Sequence, residues 1–414
     1  MAPTPRTRRL LPANVEVRPA TPDEMPEFAC LASRELAMPP EGIAALDPRT
    51  TLCAFEDGRL ATTYGWWPLQ VRFNGPAVAV PGVTCVSTHP AARMKGYLRA
   101  VVERHFDRLH ESGEASMTLL HPAWTAIYQR YGYATVTDRT TYRFDPRDVQ
   151  FTHPLPTPGR VREVDVAEEF GLLVDVYRRY REDRTGLIHR GRAMWDAGQL
   201  QVPTGLRQTV IAYEEAGEAL GYVVYVHGPK PAGVIVNGGG QMLRVMDFVA
   251  LTPAAHQALW RVIGGYANVD AVEWGNASPD DPLPLMVVEP RRLNLSRRDG
   301  IMARLVTVTD ALPLRGYTEA ASLRFAVVDP VCPWNEGRWL LETSPEGARV
   351  TSAAGATPDI TLPVDTLARL AFGYTTASIA AQAGLLDVHD ASALPRWDAA
   401  LRPKHPPHEQ EHTW

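Results

Sequence analysis

Short apolar runs alternate with turn signals through the first third of the chain, which is the pattern of antiparallel strands. The runs "TLCAFEDGRLATTYGWW" and "LQVRFNGPAVAV" carry Asp-Gly at 57–58 and Asn-Gly at 74–75 between strand-like halves. Both dipeptides are typical of two-residue hairpin turns, because their residues tolerate positive φ. A helix should precede the hairpins, since Thr21 and Glu24 form a capping-box pattern at the start of "TPDEMPEFACLASREL".

A strand, a loop and a helix follow the hairpins. The strand "GVTCVST" leads into "THPAARMKGYLRAVV", and an apolar stripe predicts a helix over about 97–112 that ends at Gly113. Next come a strand, "SMTLLH", a short helix around "AWTAIYQRYG" and a last strand, "TVTDRTTYRF". This order indicates a mixed α/β domain with one crossover.

Two proline-rich joints, "DPRDVQFTHPLPTPGR" and "NASPDDPLPLMVVEP", divide the rest of the chain. Between them the helix, hairpin, strand and helix pattern returns, and "VALTPAAHQALWRVIGG" parallels "VSTHPAARMKGYLRAVV". The second copy lacks the glycine and two of the cations, so we interpret it as a duplicated domain whose loop has become an ordinary helix start. From about residue 300, strands followed by helices predict an α+β domain.

Composition narrows the class of protein. With 45% hydrophobic and 21% charged residues, the chain is typical of a globular protein. A net charge of −5 argues against nucleic acid or an anionic membrane as a partner. No apolar run reaches the roughly 18 residues of a membrane span. The basic, proline-broken start lacks an apolar signal core, and the four cysteines show no disulfide or metal spacing, so we expect a cytoplasmic protein without a metal.

The loop after the predicted strand "GVTCVST" carries candidate chemistry. Arg93, Lys95 and Gly96 stand where a strand passes through a loop into a helix. Backbone N–H groups gather at such a helix start, glycine permits close approach, and cations neutralise a phosphate. The residues are compatible with an anion cradle, although on this loop alone a charged turn that only solvates the helix start is the better explanation.

The order of motifs resembles a known enzyme family. The strand, the Arg-x-x-Gly-x-Leu loop, the helix, the next strand and the Tyr-x-x-x-Gly-Tyr turn resemble the acetyl-CoA core of GNAT acyltransferases, and "HPAARMKGYLRAVVERHFDRLHESGEASMTLLHPAWTAIYQRYGYAT" is most similar to the Eis (enhanced intracellular survival) acetyltransferases. The resemblance implies an α/β (α+β) fold of tandem GNAT-like domains followed by a sterol-carrier-protein-like α+β domain. It predicts a catalytic domain over 1–148, a GNAT-like domain without a cofactor site over 160–292, and a sterol-carrier-like domain over 300–414 whose tail returns to the active site.

The same resemblance implies the roles of individual residues. Val86 and Thr88 would offer backbone groups to the pantetheine arm of acetyl-CoA. The pyrophosphate-binding residues would be Arg93, Met94, Lys95, Gly96, Tyr97 and Leu98. Tyr128 would be the general acid that protonates the departing thiolate, because a phenol with a pKa of about 10 is close enough to an alkyl thiol to share the proton. The α-carboxylate of Trp414 would be the general base.

Departures from the family pattern concern the acceptor. Members that acetylate aminoglycosides have an acidic pocket, but here Thr413 stands just before the terminal aromatic and Met38 stands where such members have an aspartate. Trp66 and Trp67 lie on the strand that should wall the acceptor side, and at least one of two adjacent strand residues faces away from it. We therefore expect a primary amine with apolar character, on a small molecule or a lysine side chain.

Other interpretations stay open at this point. The chain could be a non-catalytic binding protein that holds an apolar ligand in its last domain, or a biosynthetic acyltransferase that uses another acyl-CoA. His405, His408 and His412 in the tail could suggest a metal, but Pro406 and Pro407 argue against one helical face, so solvated histidines are expected. The resemblance also implies a homo-oligomer, namely a hexamer.

Overall fold

The computed structural model describes residues 11–229 and 240–411, which form two compact units. One unit combines the chain up to Val136 with Ile301–Arg402. The other combines Thr137–Gly300 with the tail that begins at Pro403. Each unit is therefore built from segments that are far apart in the sequence.

The elements of the first part of the chain follow the predicted order, except that the separate strands predicted within Arg59–Arg72 form one strand, as do those predicted within Ala77–Thr88. The strands are β1 (Val15–Arg18), β2 (Cys53–Glu56), β3 (Arg59–Arg72), β4 (Ala77–Thr88), β5 (Met117–Leu120), β6 (Ala134–Thr135) and β7 (Asp138–Phe144). The helices are α1 (Met25–Leu36), α2 (Pro40–Ala44), α3 (Tyr97–Ser112) and α4 (Thr125–Gln129).

The middle of the chain continues with strands and a second long helix. The strands are β8 (Arg160–Glu163), β9 (Arg207–Glu215), β10 (Glu218–Pro229), β11 (Gln241–Ala250), β12 (Ala271–Ala277), β13 (Ser296–Asp299) and β14 (Met302–Leu305). The helices are α5 (Val166–Arg181), α6 (Arg192–Ala197), α7 (Pro253–Gly264) and α8 (Leu283–Met286).

The last part is a five-stranded sheet with helices, as the α+β pattern predicts. Its strands are β15 (Ala321–Val328), β16 (Gly337–Ser344), β17 (Gly347–Ser352), β18 (Ile360–Pro363) and β19 (Asp387–Val388). Its helices are α9 (Val308–Ala311), α10 (Val364–Phe372), α11 (Ala377–Gln382) and α12 (Leu394–Ala400). The strand order is β17-β16-β15-β18-β19.

Local signals in the sequence account for the start of the fold. The capping box of Thr21 and Glu24 forms at the entry to the first helical segment. Both predicted hairpin turns are present, with positive φ at Asp57 and Asn74 and at the glycines that follow them. Helix α3 occupies the predicted range and ends at Gly113, whose φ of 66° makes it a left-handed C-cap.

The first sheet has the order β1-β2-β3-β4-β5-β14-β6, so a strand from beyond the middle of the chain completes it. Strand β14 lies antiparallel to β5 and to β6, pairing Met302 with Leu120 and with Thr135. Arg304 of β14 is fully buried, and its Nη2 donates to both carboxylate oxygens of the buried Asp329, at 2.8 and 2.7 Å. The core of this unit therefore depends on residues after 300.

The predicted last strand of the first domain, "TVTDRTTYRF", is wrong as a single element. Ala134–Thr135 pairs with β14 in the first sheet, whereas Asp138–Phe144 pairs with β12 and β13 in the second sheet. The two strands belong to different units. The sequence carries no glycine or proline between Ala134 and Phe144 that would mark this division as a turn.

The second sheet has the order β13-β7-β12-β11-β10-β9-β8. Strands β11 and β12 are parallel, and α7 connects them and packs on the sheet through Leu259, Trp260 and Ile263. This is the same crossover that β4, α3 and β5 make in the first sheet. Among the described residues, no helix is both long and apolar enough to cross a bilayer.

Candidate active site

The predicted anion cradle forms at the start of α3. Gly96 is the N-cap with φ 90° and has no side chain to cap the helix, and Met94 also has a left-handed backbone, with φ 64°. The first N–H groups of α3 have no acceptor within the helix. Met94 is 99% exposed and Tyr97 is buried in the core, so Tyr97 can offer only its backbone N–H here. The loop thus presents bare amides at the positive end of a 16-residue helix.

Both cations of the cradle are held by carboxylates of the same unit. Arg93 pairs with Glu35 at 2.5 Å, and Lys95 pairs with Glu56 at 2.8 Å. The hydrogen bond from Lys95 lowers the pKa of Glu56 and raises the pKa of Lys95. The side chains of the two cations are 58% and 42% exposed, and such pairs contribute about 0–1 kcal/mol, so a phosphate can replace the carboxylates at little cost.

Strands β4 and β5 separate beside the cradle. They pair at Gly82 with Leu119 and at Val83 with Leu120, after which β4 runs on to Thr88 whereas β5 ends. A bulge at Cys85, whose φ is 53°, adds one residue to β4 against β3 and bends the strand. Val86 and Thr88 therefore lie on the part of β4 beyond its pairing with β5, where their backbone groups can meet an extended ligand.

Tyr128 lies in the hydrophobic cluster that also contains Tyr97, with Val86 and Leu98 packed against it. Helix α4 ends one residue after it, and its ring meets that of Tyr133 edge-on at 5.9 Å. Burial raises the pKa of Tyr128 above its ordinary value, which keeps the phenol protonated. The structure thus brings the predicted acid together with the cofactor-loop residues.

A buried hydrogen-bonded pair beside Tyr128 is absent from the sequence prediction. The Tyr64 hydroxyl and His105 Nδ1 are 2.8 Å apart, and both residues are almost wholly buried. Burial lowers the pKa of His105 to about 3, so the imidazole is neutral. Burial raises the pKa of Tyr133 to about 12, although the hydrogen bonds with Thr118 and Tyr64 lower it. No local signal could find this pair, because its members are 41 positions apart.

The residues predicted to line the acceptor side fall on two faces of the sheet. Trp66 is buried in the cluster of Tyr128 and stacks on His105 with 4.4 Å between ring centroids. Trp67 and Met38 are partly buried, and each packs against a second hydrophobic cluster, which includes residues of α1 and α2. Adjacent strand residues point to opposite faces, which explains the division.

At the equivalent helix start in the other unit, a side chain of the protein accepts one of the N–H groups of the first turn. Thr252 is the N-cap of α7, and its side chain accepts a hydrogen bond from the Ala255 N–H at 3.2 Å. Pro253 removes a further N–H from the first turn. At the start of α7, the N–H groups that correspond to those near Gly96 are therefore either bonded to Thr252 or absent because of Pro253.

The tail prediction needs a correction. The sequence predicts a solvated His408, but the residue is fully buried, and its backbone N–H donates to the Thr185 carbonyl at 2.9 Å. Desolvation lowers the pKa of His408 to about 3. His405 is partly exposed and contacts Asp280 at 2.8 Å. His412, Thr413 and Trp414 lie outside the described residues.

Comparison with known families agrees with this architecture. Residues 16–136 and 186–305 each match an acetyltransferase (GNAT) domain, and residues 308–409 match a sterol carrier protein domain.

Relatives and solved structures point to the same group. The chain is 33% identical over 287 residues to an uncharacterized N-acetyltransferase of Streptomyces avermitilis, covering 66% of this chain and 68% of the relative. It is 30% identical over 344 residues to N-acetyltransferase Eis of Mycobacterium tuberculosis, covering 80% and 81%. The crystal structure of Eis1 from Mycobacterium abscessus superposes with a TM-score of 0.81 at 26% identity, over 95% of this chain and 99% of that one. The chain belongs to the Eis-like GNAT N-acetyltransferases.

Proposed function

We propose that this N-acetyltransferase transfers the acetyl group of acetyl-CoA to a primary amine, with Tyr128 as general acid and the Trp414 carboxylate as general base. The observation that carries the proposal is the cradle at Gly96, where bare amides meet the positive end of α3 and two exchangeable cations. The other unit repeats the crossover but caps the corresponding helix with Thr252, so among the described residues these two helix starts support one cofactor site, at Gly96.

The residues of the first unit fit acetyl-CoA part by part. The diphosphate suits the N–H groups around Gly96 together with Arg93 and Lys95. The pantetheine arm carries amides, and β4 beyond its pairing with β5 offers backbone partners for them at Val86 and Thr88. The Thr88 carbonyl accepts from Arg93 Nε at 3.3 Å and would exchange this donor for the ligand. Bound acetyl-CoA supplies the activated acyl group as a thioester, and the protein contributes position and proton transfer.

Tyr128 suits the acid role because burial keeps its phenol protonated. The same desolvation raises the proton affinity of a thiolate that leaves beside it, so the proton can still move from phenol to sulfur. Tyr131 and Tyr133 are buried in the same cluster, and we assign them to packing. The role of Trp414 rests on the family resemblance, since a carboxylate near the amine would accept the proton that the amine loses.

The acceptor is proposed to be an amine with apolar character. Met38 and Trp67 are partly buried and pack against one hydrophobic cluster of the first unit. A polycation such as an aminoglycoside would need carboxylates there. A small amine with an aliphatic or aromatic body fits these side chains better.

Release of free thiol from acetyl-CoA, measured with a panel of amines, tests the proposal. The unmodified chain should turn over at least one apolar amine faster than an aminoglycoside. Tyr128→Phe should lower kcat by about 10²–10⁴-fold, since it removes only the acid. Tyr131→Phe is the matched control, a buried tyrosine of the same cluster, and should change kcat little.

Two further outcomes would contradict the proposal. Full activity of Tyr128→Phe would exclude the phenol as the acid, and full activity of a chain extended beyond Trp414 would exclude the terminal base. Acetyl-CoA should also raise the melting temperature, because a ligand that binds only the folded state stabilises it. If an apolar ligand did so and acetyl-CoA did not, the binding-protein interpretation would hold instead.

A further inference from the structure

The C-terminal tail enters the unit of residues 137–300 through a buried network of charges. Glu409 and Glu411 have exposures of 0% and 3%, although they lie close to the end of the chain. Chain ends are ordinarily solvated and poorly ordered. Burial of two carboxylates at such a place therefore needs a physical reason.

Arg190 is the centre of the network. Its guanidinium is fully buried and donates to Glu411 Oε1 at 2.9 Å and to Asp247 Oδ2 at 2.6 Å. Tyr222 donates to the same Asp247 oxygen at 2.7 Å. The ring of Tyr177 lies 3.8 Å from the guanidinium carbon and covers it. The Glu411 carboxylate of the tail is thus the second carboxylate partner of a buried arginine that also pairs with Asp247.

A second set of contacts fixes the backbone of the tail. Gln199 and Asn276 donate to the Gln410 carbonyl at 3.2 and 2.9 Å. Arg139 on β7 pairs with Glu409 and donates to the Glu411 carbonyl at 2.5 Å. These donors bind backbone carbonyls of the tail as well as a side chain, so the contacts fix which tail residue lies opposite each donor.

Such a network is poorly explained by stability alone. Withdrawing three carboxylates and two guanidinium groups from water costs several kcal/mol per ion, and apolar residues of similar volume would hold a tail at least as firmly. What the charges provide is geometric selectivity, because an Arg–carboxylate pair with several hydrogen bonds accepts one register and one direction.

We propose that the second GNAT-like domain is a clamp for the chain's own C-terminal tail and that Arg190 is its main positioning residue. Because the network fixes the side chain and the backbone of Glu411, the chain leaves the clamp from one defined point of the unit. The catalytic consequence of the clamp rests on the proposed role of Trp414, whereas the clamp itself does not.

Digestion of the folded full-length protein with a broad-specificity carboxypeptidase, followed by intact mass, tests the clamp. In the unmodified chain, trimming should stop after the loss of the last three residues, because the backbone from Glu411 inward is held. In Arg190→Met, trimming should continue toward Pro407. Trimming that stops at the same residue in both would overturn the proposal.

Arg192→Met is the matched control. Arg192 lies two residues away, pairs with Asp196 at 2.9 Å on the surface and stacks on Phe170, so its loss should leave the trimming unchanged. If Arg190→Met does not fold, Glu411→Ala replaces it, since this change leaves the Arg190–Asp247 pair intact. It should also extend the trimming, and failure to do so would equally overturn the clamp.

Turnover separates the clamp from the proposed catalytic terminus. A mispositioned carboxylate should lower kcat by about tenfold or more while the affinity for CoA stays unchanged, a split that general destabilisation would not produce. Extended trimming with unchanged initial turnover of the untrimmed variant would support the clamp and exclude Trp414 as the base. Loss of turnover with unchanged trimming would contradict the clamp and leave the proposed function standing.

Discussion

Two residues with left-handed backbone define the loop of the predicted anion cradle. Gly96 adopts φ 90° at no steric cost, whereas Met94 adopts φ 64° with a side chain that is 99% exposed and gains nothing from packing. Strain of this kind at an exposed residue is typical of functional sites. The pair turns successive N–H groups outward ahead of α3, which is the property that an anion needs.

Gly96→Ala should therefore weaken the cofactor site in particular. Alanine at positive φ costs about 1–2 kcal/mol, and its Cβ would lie where the diphosphate approaches the backbone. We expect the dissociation constant for CoA, measured by calorimetry, to rise about tenfold or more, as a lost contact of about 1.4 kcal/mol requires.

Gly113→Ala is the control for backbone strain. Gly113 ends the same helix with φ 66°, and a Cβ there would meet nothing within 4 Å. Both variants should melt earlier by a similar amount, but Gly113→Ala should bind CoA normally. Equal CoA affinity in the two variants would contradict the assignment of the diphosphate to Gly96.

At the scale of elements, the first sheet depends on an inserted strand. Strand β14 lies between β5 and β6, and its Arg304 is fully buried against Asp329 in the loop after β15. Asp329 also accepts hydrogen bonds from Asn335 and from the Cys332 N–H. The loop 329–335 of the third segment is thereby fastened to the sheet that carries the candidate active site.

Asp329→Ala should be strongly destabilising. It leaves a buried guanidinium without its carboxylate, and breaking a buried pair from one side costs about 3–5 kcal/mol. Glu342→Ala is the control, because the Glu342–Arg349 pair at 2.8 Å is exposed and should change the free energy of unfolding by about 1 kcal/mol or less. Urea unfolding measures both, and similar losses would contradict the structural role of the Arg304–Asp329 pair.

At the scale of the whole molecule, chain order and spatial order differ. The unit with the cofactor loop takes its sheet from residues up to Val136 and from Ile301 onward, and the Val136 N–H donates to the Ile301 carbonyl at 3.0 Å. The intervening residues form a unit with a sheet of their own. The chain therefore leaves and re-enters the first unit at one point.

A shortened chain tests this organisation. Joining Val136 to Ile301 with a few glycine and serine residues, and ending at Arg402, should give a folded protein, because both ends already meet. A chain that ends at residue 148 lacks β14 and exposes the open edges of β5 and β6, so it should aggregate. Circular dichroism and size-exclusion chromatography distinguish the outcomes. A folded 1–148 fragment, or an unfolded joined chain, would contradict the division.

Features with a local cause could be predicted from the sequence. The hairpin turns, the capping box and the limits of α3 depend on residues within a few positions of one another, and so do the loop at Gly96 and the motifs that indicated the family. The division between β6 and β7 could not be predicted, because it depends on distant partner strands: β6 pairs with β14 in the first sheet, whereas β7 pairs with β12 and β13 in the second.

By itself, the sequence determined the two hairpin turns, the limits of α3, the loop at Gly96 and the presence of a tyrosine after the next strand, because these depend on backbone preference and near neighbours. Only the tertiary structure decided that β14 completes the first sheet, that Tyr64 meets His105 beside Tyr128, and that Arg190 holds Glu411. The physical reason is that burial and charge pairing act through space. Their partners are chosen by the closed fold, and no spacing along the chain records that choice.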